Sequence, residues 1–111
     1  MKKIILLKNN LFAEGDKKLQ ETLMGSFLRK LWASPTKPDA IIFYGAAVKL
    51  LAKGSTVLDA LTGLEEDGVE LLACGTCVGY YELEADIMAG RKTSMPEVVE
   101  LMMNADSVIT P

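Results

Sequence analysis

The chain has 111 residues, 50% of them apolar and 24% charged, enough for one domain with a real core and too few for a second. Its net charge of -3 argues against a general nucleic-acid binder, which has to neutralise phosphates. There is no histidine, which removes Ser-His-Asp and Cys-His nucleophile pairs, imidazole metal ligands and the usual near-neutral general base. Two cysteines, Cys74 and Cys77, make no disulfide framework, and a four-cysteine zinc site lies beyond one chain. No metal and no cofactor is called for. Any chemistry concentrates on the thiols.

The opening Met1-Lys2-Lys3-Ile4-Ile5-Leu6-Leu7 imitates a secretion signal only briefly. Its apolar run stops at Lys8-Asn9-Asn10, and no small-residue cleavage site follows. The run from Ala40 to Val48 is far below membrane-spanning length. The expectation is a cytoplasmic protein with reducible thiols and no membrane partner.

Lys3 to Leu7 reads as a strand buried on both faces. Leu19, Leu23, Met24, Phe27, Leu28 and Leu31 then recur at helical spacing, with Asp16 as N-cap and Pro35 as terminator. Asp39 to Tyr44 is a second buried strand, and Gly45 opens a short helical stretch ending near Gly54. A helix from Ser55 or Thr56 presents Val57, Leu58, Leu61 and Leu64 and stops at Gly68. Val69 to Ala73 is the third strand, running into Cys74-Gly75-Thr76-Cys77.

Residues 77 to 83 read as helical and Ile87 to Ala89 as a short strand. Ser94-Met95-Pro96-Glu97 is a capping box with proline in the first turn, opening a helix with Val98, Val99, Leu101, Met102 and Ala105. Met88, Met102 and Met103 read as core fillers, and Ser107 to Thr110 closes as a fifth strand. Strand and helix alternating in this way predict an α/β fold: a three-layer α/β/α sandwich on a mainly parallel five-stranded sheet, one domain over residues 1–111. In such sheets ligands collect beyond the carboxyl ends of the strands, where the cysteine pair lies.

Charge is unevenly spread. Residues 1–53 hold ten Lys or Arg against four acids, and residues 54–111 hold two against eleven. Interleaving of the two halves would cancel this in space; a basic face meeting an acidic face between subunits is the alternative.

Cys74-Gly75-Thr76-Cys77 places two thiols about one turn apart where a buried strand enters a helix. A thiolate at a helix N-terminus meets free N–H groups, which lower its pKa and raise its reactive fraction. Gly75 leaves room beside the sulfur. The pair can close and open a disulfide, or hold a persulfide sulfur. Packing of the cysteines as small core hydrophobes is the plain alternative. Pocket candidates are Gly45, Gly75, Thr76 and Thr93, and Tyr80 and Tyr81 are candidate walls. Lys8 and Arg91 lie on loops from which they could act on a nearby thiol.

The stretch Gly68-Val69-Glu70-Leu71-Leu72-Ala73-Cys74-Gly75-Thr76-Cys77 resembles the DsrE/DsrF-like sulfur-relay family, and looks closest to the C-terminal domain of YedF-type proteins, described as sulfurtransferase-like and linked with selenium metabolism. The likeness extends to Gly15-Asp16 with Leu19, to Leu23-Met24-Gly25-Ser26-Phe27-Leu28, to Val48-Lys49-Leu50 with Gly54-Ser55, and to the tail from Met95 through Val108-Ile109. The resemblance implies a self-associating DsrEFH-like α/β/α fold whose strand-end cysteine, Cys74, accepts sulfur in the manner of a sulfurtransferase-like carrier. Cys77 is then a resolving or second carrier thiol. The TusA-like domain with its Cys-Pro motif is missing from this sequence, which implies sulfur donor and acceptor proteins in trans, TusA-like among them. Tyr44 and Ser94 depart from the asparagines common in these relatives. Three readings follow: a sulfur carrier, a thiol–disulfide redox module, and a homo-oligomeric binding subunit with incidental thiols.

Overall fold

A computed structural model describes residues 2–111. In chain order the elements are β1 (Lys3–Leu7), α1 (Lys17–Ala33), β2 (Ala40–Phe43), a 3-10 helix (Gly45–Leu51), α2 (Leu58–Glu66), β3 (Glu70–Cys74), α3 (Gly75–Tyr80), β4 (Arg91–Thr93), α4 (Met95–Asn104) and β5 (Ser107–Ile109). The sheet has five strands in the order β4-β3-β2-β1-β5, every neighbouring pair parallel. From β1 to β4 the chain steps in one direction across the sheet. It then crosses from one edge to the other through α4. Parallel crossovers keep one hand, so this reversal carries α4 to the opposite face.

Alternation along the strands divides the core in two. Ile5, Leu7, Ile41, Phe43, Leu71 and Ala73 face α1, α2, the 3-10 helix and α3, where they pack with Met24, Leu28, Val48, Leu51, Leu61, Leu64 and Val78. Ile4, Ala40, Ile42 and Leu72 face the other way and meet Val98 of α4. The first face is thickly covered and the second is covered by one helix. Consequently α4 leaves Met95 and Val99 each 51% exposed and Met103 78% exposed.

Several local signals act as the sequence indicates. The Asp16 side chain accepts the Leu19 N–H at 2.8 Å and starts α1. α1 ends at Ala33, before Pro35. After α2, Gly68 takes φ +97°, its N–H reaches the Glu65 carbonyl, and the Val69 N–H reaches the Leu64 carbonyl. That pair of bonds is the Schellman closure, and Val69 and Leu64 are both buried beside it. Where α1 and α2 meet, Gly63 lies so close to the Trp32 indole that a β-carbon would displace it.

Elsewhere the structure corrects the sequence reading. The fourth strand is Arg91–Thr93, while Ile87 makes only an isolated antiparallel bridge to Ala52. An edge strand with two of its three side chains in solvent carries no apolar pattern, whereas Ile87 to Ala89 does. α3 begins at Gly75 rather than at residue 77. Met88, at 61% exposed, and Met103 lie on the surface and fill no core. The charge imbalance between the halves is partly cancelled in space by Arg29–Asp59 at 3.1 Å and Lys37–Asp67 at 3.8 Å, both linking residues of the two halves.

The capping box is only half made. Ser94 caps the Glu97 N–H, but the Glu97 carboxylate turns to the Arg91 guanidinium at 2.8 Å and to the Thr93 hydroxyl. These bonds, Arg91 foremost, hold the Glu97 pKa at about 2. A carboxyl depressed on folding stabilises the fold above its unfolded pKa, and that contribution fades as pH falls from about 4.3 toward the folded value. Glu97→Gln is therefore expected to reduce the acid-induced loss of stability between about pH 5 and pH 2, followed by denaturant melts at stepped pH. An unchanged pH slope would contradict the pairing.

Candidate functional site

β3 ends at Cys74, which stands at the N-cap position of α3, so Cys77 falls within that helix's first turn. Both cysteines are free thiols; Cys74 is buried at 5% exposure and Cys77 is half-buried. Beside them β2 ends and the chain turns at Gly45, whose N–H donates to the Cys77 Sγ at 3.1 Å. This turn needs glycine. Gly45 has φ +52°, and a β-carbon there would sit 3.3 Å from the Lys8 carbonyl oxygen in the loop leaving β1. In β4, Thr93 is the register partner of Cys74. The ends of the four strands β1 to β4 thus converge on the thiol pair, as the carboxyl edge of a parallel sheet should.

The electrostatics depart from expectation. Burial, followed by the neighbouring Cys74 thiol, pushes the Cys77 thiol up, and the Gly45 N–H only partly opposes this. Removal from water thus outweighs the local donor, where the sequence led us to expect a lowered thiol pKa. Tyr44 is also raised, first by burial and then by the nearby charges of Cys74 and Cys77. Its hydroxyl donates to the Met95 Sδ at 3.7 Å. The phenol is therefore tied to the start of α4.

Of the pocket candidates, Gly45 touches Cys77 directly. Gly75 is a close approach, since a β-carbon would meet the Thr93 carbonyl oxygen at 3.1 Å. Thr76 points to solvent. Thr93 is buried beside Cys74, but its hydroxyl is taken by Glu97. Arg91 is held by Glu97 and Glu70. Lys8 contributes its carbonyl to the Gly45 turn. Of the candidate walls, Tyr80 is 80% exposed, whereas Tyr81 lines a cavity of about 460 Å³ with Lys49 and Lys53.

Sequence reasoning missed Tyr44 as a neighbour of the thiols and missed the lysine-lined cavity. The Tyr44-Gly45 step was the only available signal for the first. Among the described residues no three His, Cys, Asp or Glu side chains gather as a metal shell. The arrangement can accept sulfur on a thiol, pass it, or close the pair into a disulfide.

Several solved structures share the fold, three of them as follows. The ychN protein from E. coli aligns with TM-score 0.73 and 19% identity, covering 100% of both chains. The protein of unknown function MTH1491 from Methanobacterium thermoautotrophicum aligns with TM-score 0.71 and 17% identity, again over 100% of both. The conserved protein of unknown function BT1422 from Bacteroides thetaiotaomicron aligns with TM-score 0.70 and 18% identity, covering 98% of this chain and 94% of that one. No curated protein matches the sequence. The sequence profile of the DsrE/DsrF-like family matches residues 9–111, and with the all-parallel sheet and its strand-end thiols in place, the chain belongs to that family.

Proposed function

We propose that this protein carries sulfur as a persulfide on Cys74, with Cys77 assisting. Membership of the DsrE/DsrF-like family points to sulfur relay in general. The observation that carries the finer reading is the pairing of two free thiols at the strand end, one of them holding the Gly45 N–H on its sulfur. The same pair supports the YedF-type kinship suggested by Cys-Gly-Thr-Cys.

In the loading step a Cys74 thiolate takes the terminal sulfur of a donor persulfide, and the donor leaves as its thiolate. Two exits follow. An acceptor thiolate can take the terminal sulfur and regenerate Cys74. Alternatively, the Cys77 thiolate attacks the inner sulfur of the Cys74 persulfide, forming the Cys74–Cys77 disulfide and releasing hydrosulfide. Donor and acceptor proteins, TusA-like ones among them, would act in trans. No helix among the described residues is long and apolar enough to cross a membrane, and a cytoplasmic setting suits a carrier that needs reduced thiols.

The test is transfer of labelled persulfide sulfur onto the protein and then onto a thiol acceptor. Label should bind and pass on in the native protein, and should be lost when both cysteines are serine. Loss of two hydrogens without bound label would support the redox module instead, a reading favoured by the two free thiols lying within one turn of each other.

Self-association belongs to the same proposal. Met95, Val99 and Met103 form an exposed apolar line on α4, and Val108 of β5 adds to it at 41% exposure on the same side of the sheet. A second copy covering this face would bury the line. Val99→Lys is expected to shift sedimentation toward the monomer while leaving the far-UV spectrum unchanged. An assembly indifferent to that substitution would place the contact elsewhere.

A further inference from the structure

A second feature of the carboxyl edge borders the far end of α3, the helix that carries Cys77. The cavity of about 460 Å³ falls in the range of small-molecule sites and is formed by the loop from β1, the end of the 3-10 helix, the turn before α2 and the end of α3. Its polar lining includes Lys49, Lys53, Asn10, Ser55 and Thr56. Neither Lys49 nor Lys53 has a carboxylate within salt-bridge distance among the described residues. Lys49 is positioned, however: its Nζ sits 4.4 Å from the centroid of the Tyr81 ring. The one acid in the lining, Glu21, lies 4.0 Å from Lys17 in an exposed pair.

Tyr81 joins this cavity to the site. Its N–H bonds the Cys77 carbonyl, so the two residues stand one turn apart on one side of α3, about 6 Å along the axis. Two unpaired ammonium groups, hydroxyls and an amide around so small a space suit a compact polyanion. The lone carboxylate would suit an ammonium group on the same ligand.

Resting on the sulfur-carrier reading, we infer that this cleft binds the carboxylates of a low-molecular-weight thiol persulfide, which serves as a sulfur donor to the thiol pair alongside any protein donor. Lys49 and Lys53 hold the anionic end while the sulfur end extends past Tyr81. The accepting cysteine thiolate attacks the terminal sulfur of R–S–SH, a new S–S bond forms on the cysteine, and the bond to R–S breaks. R–S⁻ leaves and takes a proton from water. No oxidant or reductant is consumed.

Two measurements test this. Binding of S-methylglutathione, an unreactive dicarboxylate, is followed by amide NMR on the native protein and on Lys49→Gln/Lys53→Gln. Shifts at Lys53 to Thr56 that vanish in the variant are expected. Sulfur uptake is then timed with glutathione persulfide and with cationic cysteamine persulfide. The native protein should favour the anionic donor by roughly tenfold at low salt, and the variant should lose that preference while its alkylation by neutral iodoacetamide is unchanged.

Absence of S-methylglutathione binding overturns the inference, whatever happens to sulfur. So does an anionic preference that survives in the variant, or a variant equally slowed toward both donors and iodoacetamide. Displacement of the same amides by hexaglutamate but not by S-methylglutathione would assign the cleft to an acidic protein segment and overturn it as well. Binding as expected, with no sulfur gained from any donor, would sink the carrier reading and the donor role with it.

Discussion

Phe43→Ala is expected to lower the unfolding free energy by about 3–5 kcal/mol, a large part of the roughly 5–15 kcal/mol typical of a domain. Phe43 is fully buried in the central strand, with Leu7 and Ala73 as its register partners on either side. Those neighbours belong to two other strands, β1 and β3, so neither can collapse into the space without disturbing the sheet. The residue also sits just ahead of the Tyr44-Gly45 turn, and loss of the ring should loosen the turn that places an N–H on Cys77. Urea melts would measure the loss directly. A change below about 1 kcal/mol would mean that the core on the α1 side relaxes far more easily than its packing implies.

Gly45→Ala should have the largest effect on the site for the least change in bulk. An alanine at φ +52° carries about 1–2 kcal/mol of backbone strain, and its β-carbon meets the Lys8 carbonyl oxygen at 3.3 Å. The turn relieves that strain by rotating, which withdraws the N–H from the Cys77 sulfur. Burial and the Cys74 contact already push the Cys77 thiol up, and the Gly45 N–H is what opposes them. Removing it raises the thiol further and slows alkylation of Cys77 at neutral pH by about fivefold, the worth of one hydrogen bond. Alkylation rates against pH, resolved by peptide, give the result. An unshifted Cys77 profile in a folded Gly45→Ala protein would show that the N–H contact does not govern the thiol.

Much of the fold was legible because its signals are local. Ile4, Ile5, Ile41 and Ile42 announce strands buried on both faces, Asp16 starts a helix within its own turn, and Gly68 closes one. The position of Cys74 at a strand end was likewise readable from the apolar run that precedes it. Arg91–Thr93 was not readable as a strand, because at the sheet edge its side chains answer to Glu97, Glu70 and solvent. The state of Cys77 is hidden from the sequence for a related reason. Proximity to a helix start is visible in sequence, but burial and a donor arriving from Gly45 are products of the fold. The lysine cleft is more hidden still, since Asn10, Lys49 and Tyr81 come from three separate loops and helix ends.

The most direct check of the sulfur-carrier account is the intact mass of the reduced protein after exposure to a persulfide donor, compared with Cys74→Ser and Cys77→Ser. The account predicts one added sulfur that persists in Cys77→Ser, is absent in Cys74→Ser, and decays in the native protein as the Cys74–Cys77 disulfide forms. Uptake undiminished in Cys74→Ser, or no sulfur on any form, would contradict it.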